Sequence, residues 1–321
     1  AAVTQENLDN QRDVVKEEKR QRYDNVPYGT ALHDLYAAVF PEGHPYHHPT
    51  IGSMADLDAA TLADVHAFFT QHYGPNNTVL TLVGDVSPDD AFTLAERYFG
   101  SLPPSAAPRD DTAMGPLEPL SEPVLREVRA VVPHDRSYLG FRLPADGSAD
   151  YQAAALALDI LGGLGSSRLV ERLVRTEQLT TSVSAHPMGL SGGVSLGIVS
   201  AEMAEGVDPD VVEAIICEEL ELLAAHGPTS DEMDAAFADT ERSWLSAMSG
   251  LDERADTICR DAALFGDAGR INTFLDDVRG ITADQVQRMA ATWLRPHARA
   301  VVRYRPEAES DVQPHAPEVS S

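Results

Sequence analysis

A helix–strand pattern that occurs twice along the chain most constrains its fold. Residues 61–73, with helical apolar spacing, are followed by an apolar strand-like run at 78–82. The same pattern returns at residues 282–294 and 299–303, at a constant separation of 221 residues. Two readings remain open. The pattern is either a duplication, in which case two domains end alike, or a common helix–strand unit that recurs by chance.

The other elements come in runs of strands and runs of helices, which is typical of α+β domains with helices packed on a sheet. We therefore predict an α+β fold made of two homologous sheet-plus-helices domains. In the first region, helices are predicted at 4–23, 60–73 and 88–98, and a buried strand at 77–83. In the second region, the predicted strands are 124–132, 137–143, 181–186, 193–200 and 298–304, and the predicted helices are 150–161, 166–175, 207–225, 229–248, 252–264 and 282–294.

A proline-rich stretch without periodicity separates the two regions. Residues 103–122 (PPSAAPRDDTAMGPLEPLSE) predict an extended, fairly stiff linker. The predicted domains are therefore residues 1–102 and 123–306, and residues 307–321 have the composition of a disordered tail.

Charge limits the partners of this chain. With 24 basic and 51 acidic residues, the formal net charge is -27, which argues against nucleic acid and anionic membranes. No apolar run reaches the length of a transmembrane helix. Cys217 and Cys259 have neither metal-site nor disulfide-framework spacing. We interpret them as free, buried thiols and expect a cytoplasmic protein.

One acidic residue lies on an unexpected face of the first predicted helix. Glu18 shares a face with Val15, Val14 and Gln11, because residues three, four and seven apart are neighbours on a helix. A carboxylate beside two valines should be partly buried, and buried carboxylates are normally paired or bound to a metal. Its partner is either a nearby arginine, Arg12 or Arg22, or a metal ion.

Other motifs carry weaker signals. His44 and His48 are four residues apart, but Pro45 and Pro49 interrupt any helix, so a packed loop competes with a metal site. The glycine-rich run 162–165 fits a tight turn that lets two helices pack better than an anion site, because it lacks the P-loop lysine. The sequence contains no HExxH, HxxEH, GxSxG, P-loop or GxGxxG motif.

Several segments, in order, resemble the pitrilysin-type (M16) zinc metallopeptidases. The resemblance extends to about Pro306, and its specificity lies in the combination of motifs. The segments are Asn10–Arg22, Pro27-Tyr28-Gly29, His44-Pro45-Tyr46, Ile51-Gly52-Ser53, Tyr73–Asn77, Val83–Val86, Gly140-Phe141, Gly165–Leu169 and Arg172–Arg175.

The resemblance implies a clamshell of two homologous α+β domains around an unfolded peptide, the first domain being incomplete here. The family binds Zn²⁺ through the two histidines of an HxxEH motif and a later glutamate. Glu18 matches that glutamate, and the HxxEH segment would lie upstream of residue 1. Arg175 matches an arginine that contacts substrate near the scissile bond.

Two departures from the family pattern leave the function open. Gln11 stands where many active members have a glutamate, and Thr181 (or Thr180) stands where they have a substrate-binding tyrosine. The first hypothesis is a fragment of a zinc-dependent endopeptidase, inactive by itself. The alternative is a non-catalytic subunit that binds peptide and completes the chamber of an M16-type heterodimer. Expected partners are an unfolded peptide and a homodimer mate or M16-type partner subunit.

Overall fold

A five-stranded mixed sheet organises the second half of the chain. The structure is a computed structural model that describes residues 3–105 and 115–307. The strands lie in the order β1-β5-β2-β4-β3; β1 runs parallel to β5, and the other neighbours are antiparallel. Their bounds are β1 Val124–Ala130, β2 Arg136–Leu143, β3 Thr180–Met188, β4 Ser195–Met203 and β5 Ala300–Pro306.

Helices account for most of the remaining structure within the described residues. The α-helices are α1 Gln5–Lys19, α2 Ala31–Val39, α3 Met54–Ala59, α4 Leu62–His72, α5 Pro88–Phe99, α6 Ala149–Leu158, α7 Pro209–His226, α8 Ser230–Ser249, α9 Leu251–Phe265, α10 Phe274–Arg279 and α11 Ala283–Trp293. Three π-helical segments, Arg20–Asp24, Asp159–Gly163 and Val170–Thr176, extend or replace helices predicted from the sequence.

The sheet is covered on both faces. One face carries the large core formed with α6, α7 and α11, in which Phe141, Leu158 and Val301 are almost completely buried. The opposite face is covered by α2, whose Leu35 and Val39 belong to a second core cluster with strands β4 and β5. A helix from the first region therefore packs on the sheet of the second region.

The predicted repeat is present as helix and turn. Helices α4 and α11 have identical lengths at the predicted separation, and each is followed by a 3₁₀ turn, Pro75–Asn77 and Pro296–Ala298. Both helices begin with a capping box, from Thr61 and from Thr282.

The predicted strand at 77–83 is wrong. In the second copy β5 lies between β1 and β2, whereas residues 78–83 pair with no strand in the part of the chain that the structure describes. A single strand without neighbours is not stable. Val79, Leu80 and Leu82 are accordingly 38%, 55% and 53% exposed instead of buried.

The rest of the first region is also largely exposed. Helices α1, α3, α4 and α5 contain no buried residue, and α2 alone among the first five helices contributes to a core. Most of the predicted linker, residues 106–114, and residues 308–321 of the predicted tail lie outside the described residues.

Candidate functional site

Helix α1, which carries Glu18, is fixed at its middle by one arginine. The Arg12 guanidinium donates to the Leu57 carbonyl oxygen at 3.0 Å and to the Ala60 carbonyl oxygen at 2.8 Å. These are carbonyls near the end of α3, which lack helical partners. Lys16 adds an ion pair with Asp58. The helix is therefore held against α3 mainly by polar contacts.

Glu18 is bound by one of the two arginines that the sequence suggested. Its Oε1 lies 2.9 Å from Nη1 of Arg22, one turn later, and its side chain is 38% exposed. The partial burial of Glu18 agrees with the prediction. The predicted burial of the valine face of α1 does not hold, because Val14 is 50% exposed. No core packs on that side of α1 among the described residues.

A metal site cannot be completed from the described residues. Residues 3–105 and 115–307 contain no group of three histidine, cysteine, aspartate or glutamate side chains arranged to hold a metal ion. Protein zinc sites use three or four such ligands. Glu18 by itself therefore does not form a zinc site, and its role as a zinc ligand stays a prediction.

The histidine cluster is a packed loop. Residues Pro45–His47 form a 3₁₀ turn, and Nδ1 of His44 accepts a hydrogen bond from the Tyr46 backbone N–H at 3.1 Å. The His44 ring stacks on Phe40, with ring centroids 5.2 Å apart. Nδ1 of His47 lies 2.9 Å from the Phe40 carbonyl oxygen. Burial lowers the pKa of His44, which favours the neutral ring seen in these contacts.

Arg175 and Thr181 are both bound locally. Arg175 lies in the π-helical segment Val170–Thr176, is 54% exposed, and pairs with Glu171 at 3.0 Å. The Thr181 hydroxyl donates to Oε1 of Glu202 at 3.1 Å, beside an irregularity in the β3–β4 register. No hydrogen bond or ion pair joins Arg175 to Glu18 within the described residues. The substrate contact of Arg175 stays a prediction.

The glycine-rich run packs on a strand. A Cβ at Gly162 would lie 2.9 Å from the backbone nitrogen and from the Cβ of Ala185 in β3. The close approach explains the glycine and differs from the expected helix–helix turn.

The run follows Asp159, an acid that sequence reasoning missed. Burial, with a contribution from Asp239, raises the pKa of Asp159 to about 7. The sequence does carry a signal for this buried acid, because Asp159 lies inside the otherwise apolar run ALALDIL.

The segment after α1 connects Glu18 to the sheet of the second region. Tyr28 has a φ of 59°, an uncommon left-handed conformation for a residue with a side chain. Its hydroxyl donates to the His134 carbonyl oxygen at 2.7 Å. Further along, the Tyr304 hydroxyl of β5 donates to Oδ2 of Asp34 in α2 at 2.7 Å. One contact therefore joins the segment between α1 and α2 to the second region, and the other joins α2 itself to β5.

Comparison with known proteins identifies the family. The model for the peptidase M16 inactive domain matches residues 59–238, more than half of the chain. The chain belongs to the peptidase M16 family. This confirms the resemblance drawn from the motifs and agrees with the α+β fold.

The M16 relatives are longer than this chain. The zinc protease PqqE of Helicobacter pylori is 29% identical over 283 residues, covering 86% of this chain and 60% of that protein. An uncharacterised zinc protease of Mycobacterium leprae is 28% identical over 301 residues, covering 91% of this chain and 65% of that protein. The chain thus spans less than two thirds of the length of either relative.

Solved M16-like structures share the fold. The crystal structure of a protease from Helicobacter pylori superposes with a TM-score of 0.85 at 23% identity, covering 95% of this chain and 73% of that one. A peptidase M16 inactive domain from Pseudomonas fluorescens gives a TM-score of 0.80 at 20% identity, covering 96% and 72%. Among the described helices, none combines the length and apolar character needed to cross a bilayer.

Proposed function

We propose that this chain is part of a longer zinc-dependent endopeptidase of the M16 family, in which Glu18 is one zinc ligand. The supporting observation is the position of Glu18 on α1, partly buried and paired, among the residues that the structure describes, only with Arg22 at 2.9 Å. Similarity to relatives named zinc proteases, over 86% and 91% of the chain, favours the same function. The other ligands would come from outside this chain, so the chain alone should not cleave peptides.

Substitution of Glu18 in the longer protein tests the proposal. Glu18→Gln should remove bound zinc and abolish cleavage of an unfolded peptide, because an amide is a poor replacement for a carboxylate ligand. Glu17→Gln is the matched control: Glu17 is the adjacent residue, and its contacts to Arg20 and Gln21 stay on the surface of α1. Zinc content is measured by atomic absorption. Retained zinc with full activity in Glu18→Gln would refute the assignment.

A second candidate function is a non-catalytic partner subunit. It is favoured by the contacts of Arg175 and Thr181, which bind Glu171 and Glu202. Gln11, on the Glu18 face of α1, likewise supplies no carboxylate. In this case the longer protein would bind an unfolded peptide and complete the chamber of an M16-type partner or of a second copy. Cleavage that appears only after mixing with a catalytic M16 subunit would support it.

The proposal includes the division into domains 1–102 and 123–306 and a cytoplasmic location. The division is supported by the sheet, whose strands all lie between Val124 and Pro306. The location is supported by Cys217 and Cys259, which are free thiols, although both are half-buried instead of buried as predicted. Limited proteolysis with cleavage first in residues 103–122 would support the division, and cell fractionation tests the location.

A further inference from the structure

A cavity of about 230 Å³ lies between helices α6, α8, α9 and α10 of the second region. None of the residues to which a peptidase role was assigned lines it. Pockets for drug-sized ligands have volumes of about 300–1,000 Å³, so an occupant of this cavity would be small.

The cavity contains a buried carboxylate without a hydrogen-bond donor. Asp261 of α9 lines it, and its side chain is only 7% exposed. Among the described residues its nearest base is Arg260, whose Nη1 lies 3.7 Å away, beyond hydrogen-bond distance. Arg260 instead donates from Nη2 to Oδ2 of Asp146 at 2.6 Å. Burial raises the pKa of Asp261, against the opposing effect of both nearby arginines. Buried carboxylates normally accept hydrogen bonds, and here an occupant can donate them.

The same cavity also offers positive charge and free donors. Arg270 lines it without an ion pair in the part of the chain that the structure describes. Its Nη2 donates to the Gly147 carbonyl oxygen at 3.1 Å, and its guanidinium lies 4.4 Å from the ring centroid of Phe265. Helix α6 begins at the cavity with Ala149, and the first N–H groups of a helix lack helical partners. That helix end carries about +0.5 of a charge, which favours an anion.

One wall is aromatic. Trp244 of α8 and Phe274 of α10 stack with ring centroids 4.3 Å apart, and both line the cavity. The buried Val278 and Ile281 extend this wall. An apolar or aromatic group of an occupant therefore finds apolar surface beside the charged groups.

The lining charges nearly cancel. The charged residues are three aspartates and two arginines, Asp146, Asp261, Asp277, Arg260 and Arg270. Their formal sum of −1 is partly offset by the N-terminus of α6. A cavity of this kind favours a ligand that carries both charges over a ligand that carries one.

We propose that this cavity binds a free α-amino acid with an apolar or aromatic side chain. The ammonium group donates to Asp261, and the carboxylate accepts from Arg270 and from the first N–H groups of α6. The side chain lies against Trp244 and Phe274. A singly charged ligand leaves either Asp261 or Arg270 without a partner. The proposal does not depend on the peptidase function, because it uses a different set of residues.

Three probes with the same ring separate the two charged contacts. Isothermal titration calorimetry of the full chain compares L-phenylalanine with 2-phenylethylamine, which lacks the carboxylate, and with 3-phenylpropionate, which lacks the amine. Phenylalanine should bind about tenfold or more tightly than either, because each loses a charge-assisted hydrogen bond. Asp261→Asn should remove the preference over 3-phenylpropionate, and Arg270→Gln should remove the preference over 2-phenylethylamine.

Two further variants locate the binding and control for folding. Asp256→Asn is the matched control for Asp261→Asn, because Asp256 is exposed on α9 and lies outside the cavity lining. The chain has two tryptophans, and Trp293 does not line the cavity, so Trp293→Phe leaves Trp244 as the reporter. Phenylalanine should then change the Trp244 fluorescence. Unchanged thermal unfolding shows that each variant folds.

Four outcomes would overturn the proposal. They are no binding of phenylalanine at millimolar concentration, equal binding of all three probes, tighter binding of a singly charged probe, and binding of phenylalanine that neither Asp261→Asn nor Arg270→Gln weakens. Equal binding would mean that only the aromatic wall is used.

Discussion

Replacing Asp159 by asparagine should change how stability depends on pH. Asp159 begins the π-helical segment Asp159–Gly163, directly after the apolar helix α6. Burial raises the pKa of its carboxyl group from 3.8 to about 7, and the neighbouring Asp239 adds to the shift. Between these two values the folded state binds a proton that the unfolded state has lost. The free energy of unfolding therefore falls as pH rises through this window.

The size of the effect follows from the same shift. A difference of about three pKa units corresponds to ~4 kcal/mol, an upper limit because the site can relax or admit water. The Asp159→Asn variant carries no charge at any pH. Relative to the unmodified chain, it should match the protonated state below about pH 4 and be more stable by up to ~4 kcal/mol above about pH 7.

Urea unfolding followed by circular dichroism, at a series of pH values, measures this difference. Asp150→Asn, at an exposed position in the first turn of α6, is the control and should leave the pH profile unchanged. Asp239→Asn should move the Asp159 transition to lower pH, because it removes the second cause of the shift. A difference between Asp159→Asn and the unmodified chain that does not grow with pH would refute the reasoning.

Three further predictions concern stability, measured by chemical or thermal unfolding. Glu213→Ala should cost about 3–5 kcal/mol, because it leaves the buried Arg303, now bonded to Glu213 at 2.8 Å and 3.0 Å, without its main partner. Gly140→Ala should cost about 1–3 kcal/mol, since its Cβ would lie 2.7 Å from an α2 side chain, whereas Gly165→Ala meets nothing within 4 Å and serves as control. Arg175→Ala should change stability by less than about 0.5 kcal/mol, because its ion pair is exposed.

Most helices of the second region could be predicted from the sequence because their start signals are local, whereas the short helices α2, α3 and α10 were not predicted. Thr61, Thr229 and Thr282 each begin a helix with a capping box, in which the side chain and a residue three positions later satisfy free N–H groups. Such signals act within one turn and need no tertiary partner. Predicted and observed helix bounds accordingly differ by only a few residues in the second region.

The failures concern structure that depends on distant residues. The apolar run at 78–82 has the composition of a buried strand, but a strand needs neighbours that sequence pattern alone does not supply. The valines beside Glu18 predicted a buried face on α1. That face stays exposed because no other element packs against it among the described residues. Helix α2 was missed, although Ala31, Leu35 and Val39 have helical spacing, and its position on the sheet is a tertiary property.

The repeat also explains how the two regions contact each other. At the separation of 221 residues, the counterpart of α2 lies within α9, and the counterpart of Ala300 in β5 is Val79. Helix α2 packs on the sheet near Ala300. Correspondingly, Sγ of Cys259 in α9 lies 3.6 Å from the Val79 carbonyl oxygen. Each region thus offers one helix to the strand segment of the other. The two contacts differ in strength: α2 contributes buried side chains to a core cluster, whereas the α9 contact is a single thiol hydrogen bond beside the exposed run 78–82, because the sheet that would bury that run is not formed within the described residues.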